Sequence, residues 1–215
     1  MSNTIFNESI ARRSEDPYIA RNNTLLNKDG GTVNYYGMIL PSEEATQYFG
    51  LLMQNIQWKN DDLVFFGKHV TTKRKVAWYG DSEYLYTYSN TTKRALAWTK
   101  ELSELKQIVE KYAETKFNSC LLNLYHNGNE GMGWHSDDEE SLGKNNNTIA
   151  SLSFGAERKF SFKHKQTMQT ISVVLEHGSL LVMKGATQSN WLHCLPKSKT
   201  ITLPRINLTF RAIRE

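Results

Sequence analysis

From Asn118 almost to its end the chain reads as short strands separated by turn signals, and this pattern most restricts what it can fold into. Strand candidates are Ser119 to His126, Thr148 to Phe154, Lys159 to His164, Thr170 to Leu175, Ser179 to Met183 and Ile206 to Ile213. Asn127-Gly128-Asn129, the polar run Gly143 to Asn147, and His177-Gly178 punctuate them. A single short strand cannot bury a face by itself, so the set implies a sandwich or a barrel.

The first half differs. Pro41-Ser42-Glu43-Glu44 opens a helix with acids in its first turn, and Ala45, Tyr48, Phe49, Leu52 and Ile56 follow at helical spacing. A second helix runs from about Thr99, a suitable N-cap, to Thr115, with Leu102, Leu105, Ile108 and Tyr112 on one face. Leu63 to Phe66, Val76 to Tyr79 and Tyr84 to Tyr88 read as strands between them. Helices first and strands later give an α+β class. Residues 1–33 are polar and read as a loosely ordered lead-in ending at the Gly30-Gly31 turn. Residues 34–215 read as one domain, with helices and further strands in 34–117 and the strand-rich core in 118–215.

A chain of 215 residues is long enough to bury a sizeable core. Lys and Arg exceed Asp and Glu by 26 − 22 = 4, an excess that permits a polyanionic partner without demanding one. Cys120 and Cys194 form no CxxC and no disulfide framework, no apolar run reaches membrane length, and the start lacks a signal-peptide pattern. The expectation is an intracellular monomer, cytoplasmic in a bacterium and nuclear in a eukaryote.

Chemistry concentrates in three strings. In Trp134-His135-Ser136-Asp137 an extended backbone points His135 and Asp137 to one side. With His193 from Trp191-Leu192-His193 they would make two imidazoles and a carboxylate, a set that leaves three octahedral positions of Fe(II) open. A bare His-x-Asp is also common in surface turns. Among competitors for the third position, His69 and His164 stand beside lysines and read as solvated, while His126 and His177 sit at turns. In the third string, Arg205, Asn207, Thr209 and Arg211 share one strand face and Ile206, Leu208 and Phe210 take the other. Two guanidinium groups on one face need anions: protein carboxylates, water, or a dicarboxylate ligand gripped in bidentate fashion. Asn123 and Tyr125 repeat the alternation on another strand.

With these strings in view the chain resembles the AlkB family of Fe(II)/2-oxoglutarate dioxygenases, from about Tyr36 to Ile213. The blocks that carry the resemblance are Asn118 to Tyr125, Gly133 to Glu139, Ile149 to Gly155, His177 to Met183 and Arg205 to Arg211. It implies a double-stranded β-helix (jelly-roll) core with Fe(II) in its mouth. It makes His135, Asp137 and His193 the iron ligands and assigns Asn123, Tyr125, Arg205, Asn207 and Arg211 to 2-oxoglutarate. The family repairs N-alkylated bases such as 1-methyladenine and 3-methylcytosine. O2 hydroxylates the methyl group, formaldehyde leaves, and 2-oxoglutarate is converted to succinate and CO2.

A methylated base must leave the duplex to reach a buried iron. Tyr86 and Tyr88, two apart on a strand, could wall a base pocket or pack in the core; the resemblance favours the pocket, with His135 as the opposite wall and Glu139 at the base edge. Phe65-Phe66-Gly67-Lys68 suits a hairpin tip, and in the duplex-DNA-acting branch, to which this chain looks closest, such a tip wedges into the base stack. A buried strand is the other reading. Two basic runs, Lys68 with Lys73 to Lys75 and Arg158 with Lys159, Lys163 and Lys165, are either phosphate contacts or solvated faces. Cys194 either lies near the iron or is a small core residue. The expected partner is alkylated DNA, with RNA kept open. The alternatives are an oxygenase of RNA modifications or of a protein side chain, and a non-catalytic module that binds damaged bases.

Overall fold

The computed structural model describes residues 23–65, 68–88, 91–138 and 148–214, with side chains described outside 62–70 and 85–93. In chain order, β1 (Asn23–Lys28) and β2 (Gly31–Met38) precede α1 (Ser42–Asn55). Then come β3 (Lys59–Phe65), β4 (Lys68–Gly80), β5 (Leu85–Tyr88), β6 (Thr91–Arg94), β7 (Leu96–Ala97) and α2 (Lys100–Ala113). The strand-rich half holds β8 (Ser119–Tyr125), β9 (Met132–His135), β10 (Ile149–Gly155), β11 (Arg158–His164), β12 (Thr170–Leu175) and β13 (Ser179–Gly185). A one-turn α3 (Thr187–Asn190), β14 (Trp191–Leu195) and β15 (Arg205–Arg211) complete it.

Strands β8 to β15 form a jelly roll: β13-β10-β15-β8 lie side by side in the major sheet, and β12-β11-β14-β9 make the minor one. The major sheet extends through β2 and β1 at one edge and through β4 and β3 at the other, so the upstream strands continue the same sheet.

Alternation along these strands builds two cores. One face of the major sheet, with Leu122, Leu124, Leu152, Phe154, Ile206, Leu208 and Phe210, packs under α1 and α2 through Leu52, Leu102, Leu105 and Val109. Burying a Leu or Phe side chain contributes about 1.5–3 kcal/mol. The opposite face meets the minor sheet through Ile149, Leu181 and Met183 against Phe162, Leu175 and Trp191. On β8 and β15 that inner face turns polar, and the second core does not close there.

Local signals explain the helices. Thr99 Oγ1 accepts the Leu102 N–H at 3.3 Å and caps α2, which ends at Glu114 in a left-handed turn (φ 54°). The loose lead-in is corrected for its last residues. Asn23–Lys28 pairs antiparallel with β2, and Asp29-Gly30, at φ 53° and 74°, forms the two-residue hairpin turn that this dipeptide favours. The polar composition that reads as loose belongs to an edge strand. His164 is also corrected: it is buried, 3.2 Å from an Asp29 carboxylate oxygen and edge-on to Trp191.

Candidate active site

The unclosed inner face is a cavity of about 480 Å³. β4, β8 and β15 floor it, and β9, β14 and Phe160 of β11 roof it.

His135 and His193 stand opposite each other on antiparallel β9 and β14. Direct cross-strand partners on one face bring their side chains together, and the rings lie 4.2 Å apart. Asp137, two residues beyond His135, reaches the same point. The ligand atoms of the three all lie within 4.8 Å of one another, the one such cluster among the described residues. His135 Nδ1 donates to the Gly133 carbonyl at 2.9 Å, so in the neutral tautomer Nε2 is the nitrogen left to ligate in the cluster. Burial drives His193 down to about 4, so its imidazole is neutral at physiological pH, the form that ligates. Burial pushes the Asp137 carboxyl up, but Arg211, 2.8 Å away, outweighs it with help from the histidines, and the group is lowered overall. With His193 neutral, Arg211 carries that effect at neutral pH.

The arginine strand divides its two cations. Arg211 pairs with Asp137, as the protein-carboxylate reading allowed. Arg205 is buried with no carboxylate partner among the described residues. It donates to Ser153 Oγ at 2.9 Å and Asn207 Oδ1 at 2.8 Å, sits 5.7 Å from the Tyr125 ring centre, and its Nε has no acceptor. Burial lowers it to about 10, still a cation at neutral pH. A buried cation without an anion is costly, so the socket is built for an anionic ligand. Asn123 and Tyr125 line the same cavity directly opposite Asn207 and Arg205. The sequence-derived cofactor set is therefore gathered in one place. Asn207 is partly committed: it accepts from Ser151 and Arg205 and donates to Thr209.

The substrate-facing residues are less described. Phe66, Gly67 and Glu139 lie outside the described residues, as do the side chains of Phe65, Lys68, Tyr86 and Tyr88. Phe65 and Lys68 are register partners at the end of the β3–β4 ladder, and Tyr86 and Tyr88 sit two apart on β5. Two members of the basic runs are corrected. Arg74 is buried against Asp61 in the cavity wall. Arg158 is buried and donates to the carbonyls of Asn127, Glu130 and Pro196. Both guanidinium groups are tied to the protein interior rather than to phosphate. Cys194 is buried and, next to inward-facing His193, points to the opposite face of β14.

Sequence reasoning missed the Asp61–Arg74 pair and two residues that brace the metal cluster. Gln188 Oε1 accepts the Asp137 N–H at 2.9 Å, and Lys165 Nζ donates to Ser136 Oγ at 3.1 Å. Contacts this far apart in sequence leave no periodic trace.

A metal site with open positions beside a buried anion socket is what an oxygenase needs when it couples O2 to oxidation of a 2-oxoacid, and that is the class this fold and site define. Residues 32–211 match the family model described as the 2OG-Fe(II) oxygenase superfamily. The chain belongs to that superfamily and, within it, to the AlkB-homologue family, so the resemblance carried by the sequence blocks is borne out. The superfamily's cofactors are Fe(II) and 2-oxoglutarate, with O2 as cosubstrate.

The chain is 36% identical over 189 residues to the DNA oxidative demethylase ALKBH2 of Mus musculus, spanning 83% of this chain and 79% of that protein. It is 45% identical over 118 residues to the alkB homolog 3 dioxygenase of Bos taurus, over 51% of this chain but only 41% of the relative's length. A solved structure titled "The structure of OsALKBH1" superposes with a TM-score of 0.59 at 15% identity, covering 87% of this chain and 98% of that one, and supports the fold.

Proposed function

We propose that the chain is an oxidative demethylase that repairs N-alkylated bases such as 1-methyladenine and 3-methylcytosine in DNA, with RNA as a further substrate to be tested. The observation that carries this reading is the one cavity joining the His135-Asp137-His193 cluster to the Arg205 cation, which has no carboxylate partner among the described residues. Likeness over most of the chain to proteins named DNA oxidative demethylase supplies the substrate class.

In this reading His135, Asp137 and His193 hold Fe(II), and Arg205, with Asn123, Tyr125 and Asn207, takes the far carboxylate of 2-oxoglutarate. Fe(II) and 2-oxoglutarate supply the O2-activating chemistry when bound. The protein's own part is placement. Neutral His193 and the lowered Asp137 keep the ligand set deprotonated. Arg211 fixes the Asp137 carboxylate, and Phe160, Met132 and Leu195 give the cavity an apolar wall that limits water. The same reading assigns Tyr86, Tyr88, His135 and Glu139 to the base pocket and Phe65, Phe66, Gly67 and Lys68 to the DNA-facing tip; the two-residue spacing of Tyr86 and Tyr88 on β5 and the register pair Phe65–Lys68 support the assignment.

The test is a panel of methylated single-stranded DNA, duplex DNA, RNA and peptide, scored by formaldehyde release. Release from methylated DNA is expected. Turnover on the peptide alone, with none on any nucleic acid, overturns the reading.

A further inference from the structure

The ladder between β9 and β14 stops before Asp137, so the segment Ser136–Asp138 carries one of three clustered ligands without strand pairing. Arg211, 2.8 Å away, holds the Asp137 carboxylate itself, but the backbone that carries it has no strand partner and needs an anchor outside the sheet. Two residues from other elements provide it. Gln188 on α3 is buried, and its Oε1 accepts the Asp137 N–H at 2.9 Å. Its amide cannot be flipped, because the nitrogen would then set a donor against a donor. That nitrogen instead donates to Met183 Sδ at 3.3 Å. Lys165 spans the same gap: Nζ donates to the Gln188 carbonyl at 2.9 Å and to Ser136 Oγ at 3.1 Å, and lies 3.7 Å from the Asp138 carboxylate.

The anchor itself is fixed. Thr187 Oγ1 lies 2.6 Å from the Lys184 carbonyl and 3.2 Å from that of Thr32, and a Cβ on Gly31 would stand 3.0 Å from Thr187 backbone. α3 is therefore seated closely against β2 and β13.

We propose that Gln188 and Lys165 are positioning residues that hold Ser136–Asp138 in place, so that Asp137 presents its carboxylate to the metal before any metal arrives. The inference rests on the metal-site reading above. Groups that orient metal ligands typically change metal affinity about 10–100-fold when removed.

The test uses Co(II) as the probe, titrated into the metal-free full chain without 2-oxoglutarate or nucleic acid and read by visible absorption. Gln188→Met keeps the shape and deletes the acceptor; it should weaken Co(II) binding about 10–100-fold and alter the absorption bands. Gln188→Glu keeps an acceptor and should stay within a few-fold of wild type. Lys165→Met, at a half-exposed position, should lose affinity severalfold. Wild-type affinity in Gln188→Met overturns the proposal, as does equal weakening in the Met and Glu variants. If Gln188→Met does not fold, wild-type affinity and bands in Lys165→Met overturn it. Absence of Co(II) uptake by the wild-type chain removes the metal-site reading and this inference together, and is distinguishable because the wild type itself fails.

Discussion

At the scale of single residues, Arg205 and His193 separate binding from stability. Arg205 is a buried cation without a carboxylate partner among the described residues, so it costs the ligand-free fold and serves when an anion arrives. Arg205→Met should raise the KM for 2-oxoglutarate by roughly 100-fold, about 3 kcal/mol. The melting temperature of the ligand-free protein should not fall. A normal KM would remove Arg205 from the cofactor socket. His193→Ala should abolish succinate formation, and full activity in that variant would refute the third-ligand assignment. Much of this site was legible in the sequence, because period-two alternation turns Arg205, Asn207 and Arg211 into one face whatever the fold. What alternation could not say is which arginine meets no carboxylate among the described residues. That depends on Asp137 reaching Arg211 across the cavity, a contact between segments far apart in the chain. His164 shows the converse: the flanking Lys163 and Lys165 make it look solvated, but an inward strand position buries it.

At the scale of elements, caps and docking contacts set stability. Thr99 caps α2 through the Leu102 N–H, so Thr99→Ala should cost about 1 kcal/mol, read as a lower urea midpoint with an unchanged slope. His177 fastens α1 to the sheet. Its Nδ1 accepts the Gly155 N–H at 2.9 Å, and its Nε2 lies 3.2 Å from Thr46 Oγ1 on the helix. The acceptor role requires a neutral ring, and burial lowers its pKa. The unfolded chain therefore binds this proton more readily than the folded one. The contribution is complete above about pH 6.5 and is lost as pH falls below that value towards the depressed folded pKa. Acidification from pH 7.5 to 5.5 should lower the urea midpoint more in the wild type than in His177→Gln; equal losses would contradict the role. Strands β8, β10, β11, β12, β13 and β15 and helices α1 and α2 were legible because their apolar spacing is regular, whereas β2 and most of β4 were not legible as strands. β9, β14 and α3 were harder to read: four or five residues carry too little periodicity, and α3 exists because Thr187 and Gln188 find partners on β2, β13 and Asp137.

At the scale of the molecule, one sheet serves two purposes. Its outer face packs an apolar core under the helices, while its inner face is apolar at β10 and β13 and polar at β8 and β15. The active-site cavity lies where the second core fails to close. The Asn118 to Arg211 pattern contained this division strand by strand. It did not contain the order β13-β10-β15-β8 that sets the polar strands side by side, because order comes from crossovers that no local pattern encodes. No helix among the described residues is long and apolar enough to cross a membrane. The most direct test of the central claim is the stoichiometry of products from an oligonucleotide carrying 1-methyladenine, incubated with the protein, Fe(II), 2-oxoglutarate and O2. Succinate and formaldehyde should appear in equal amounts, and both should vanish when Fe(II) is chelated. Succinate without formaldehyde from any methylated nucleic acid, or formaldehyde that persists without Fe(II), would contradict it.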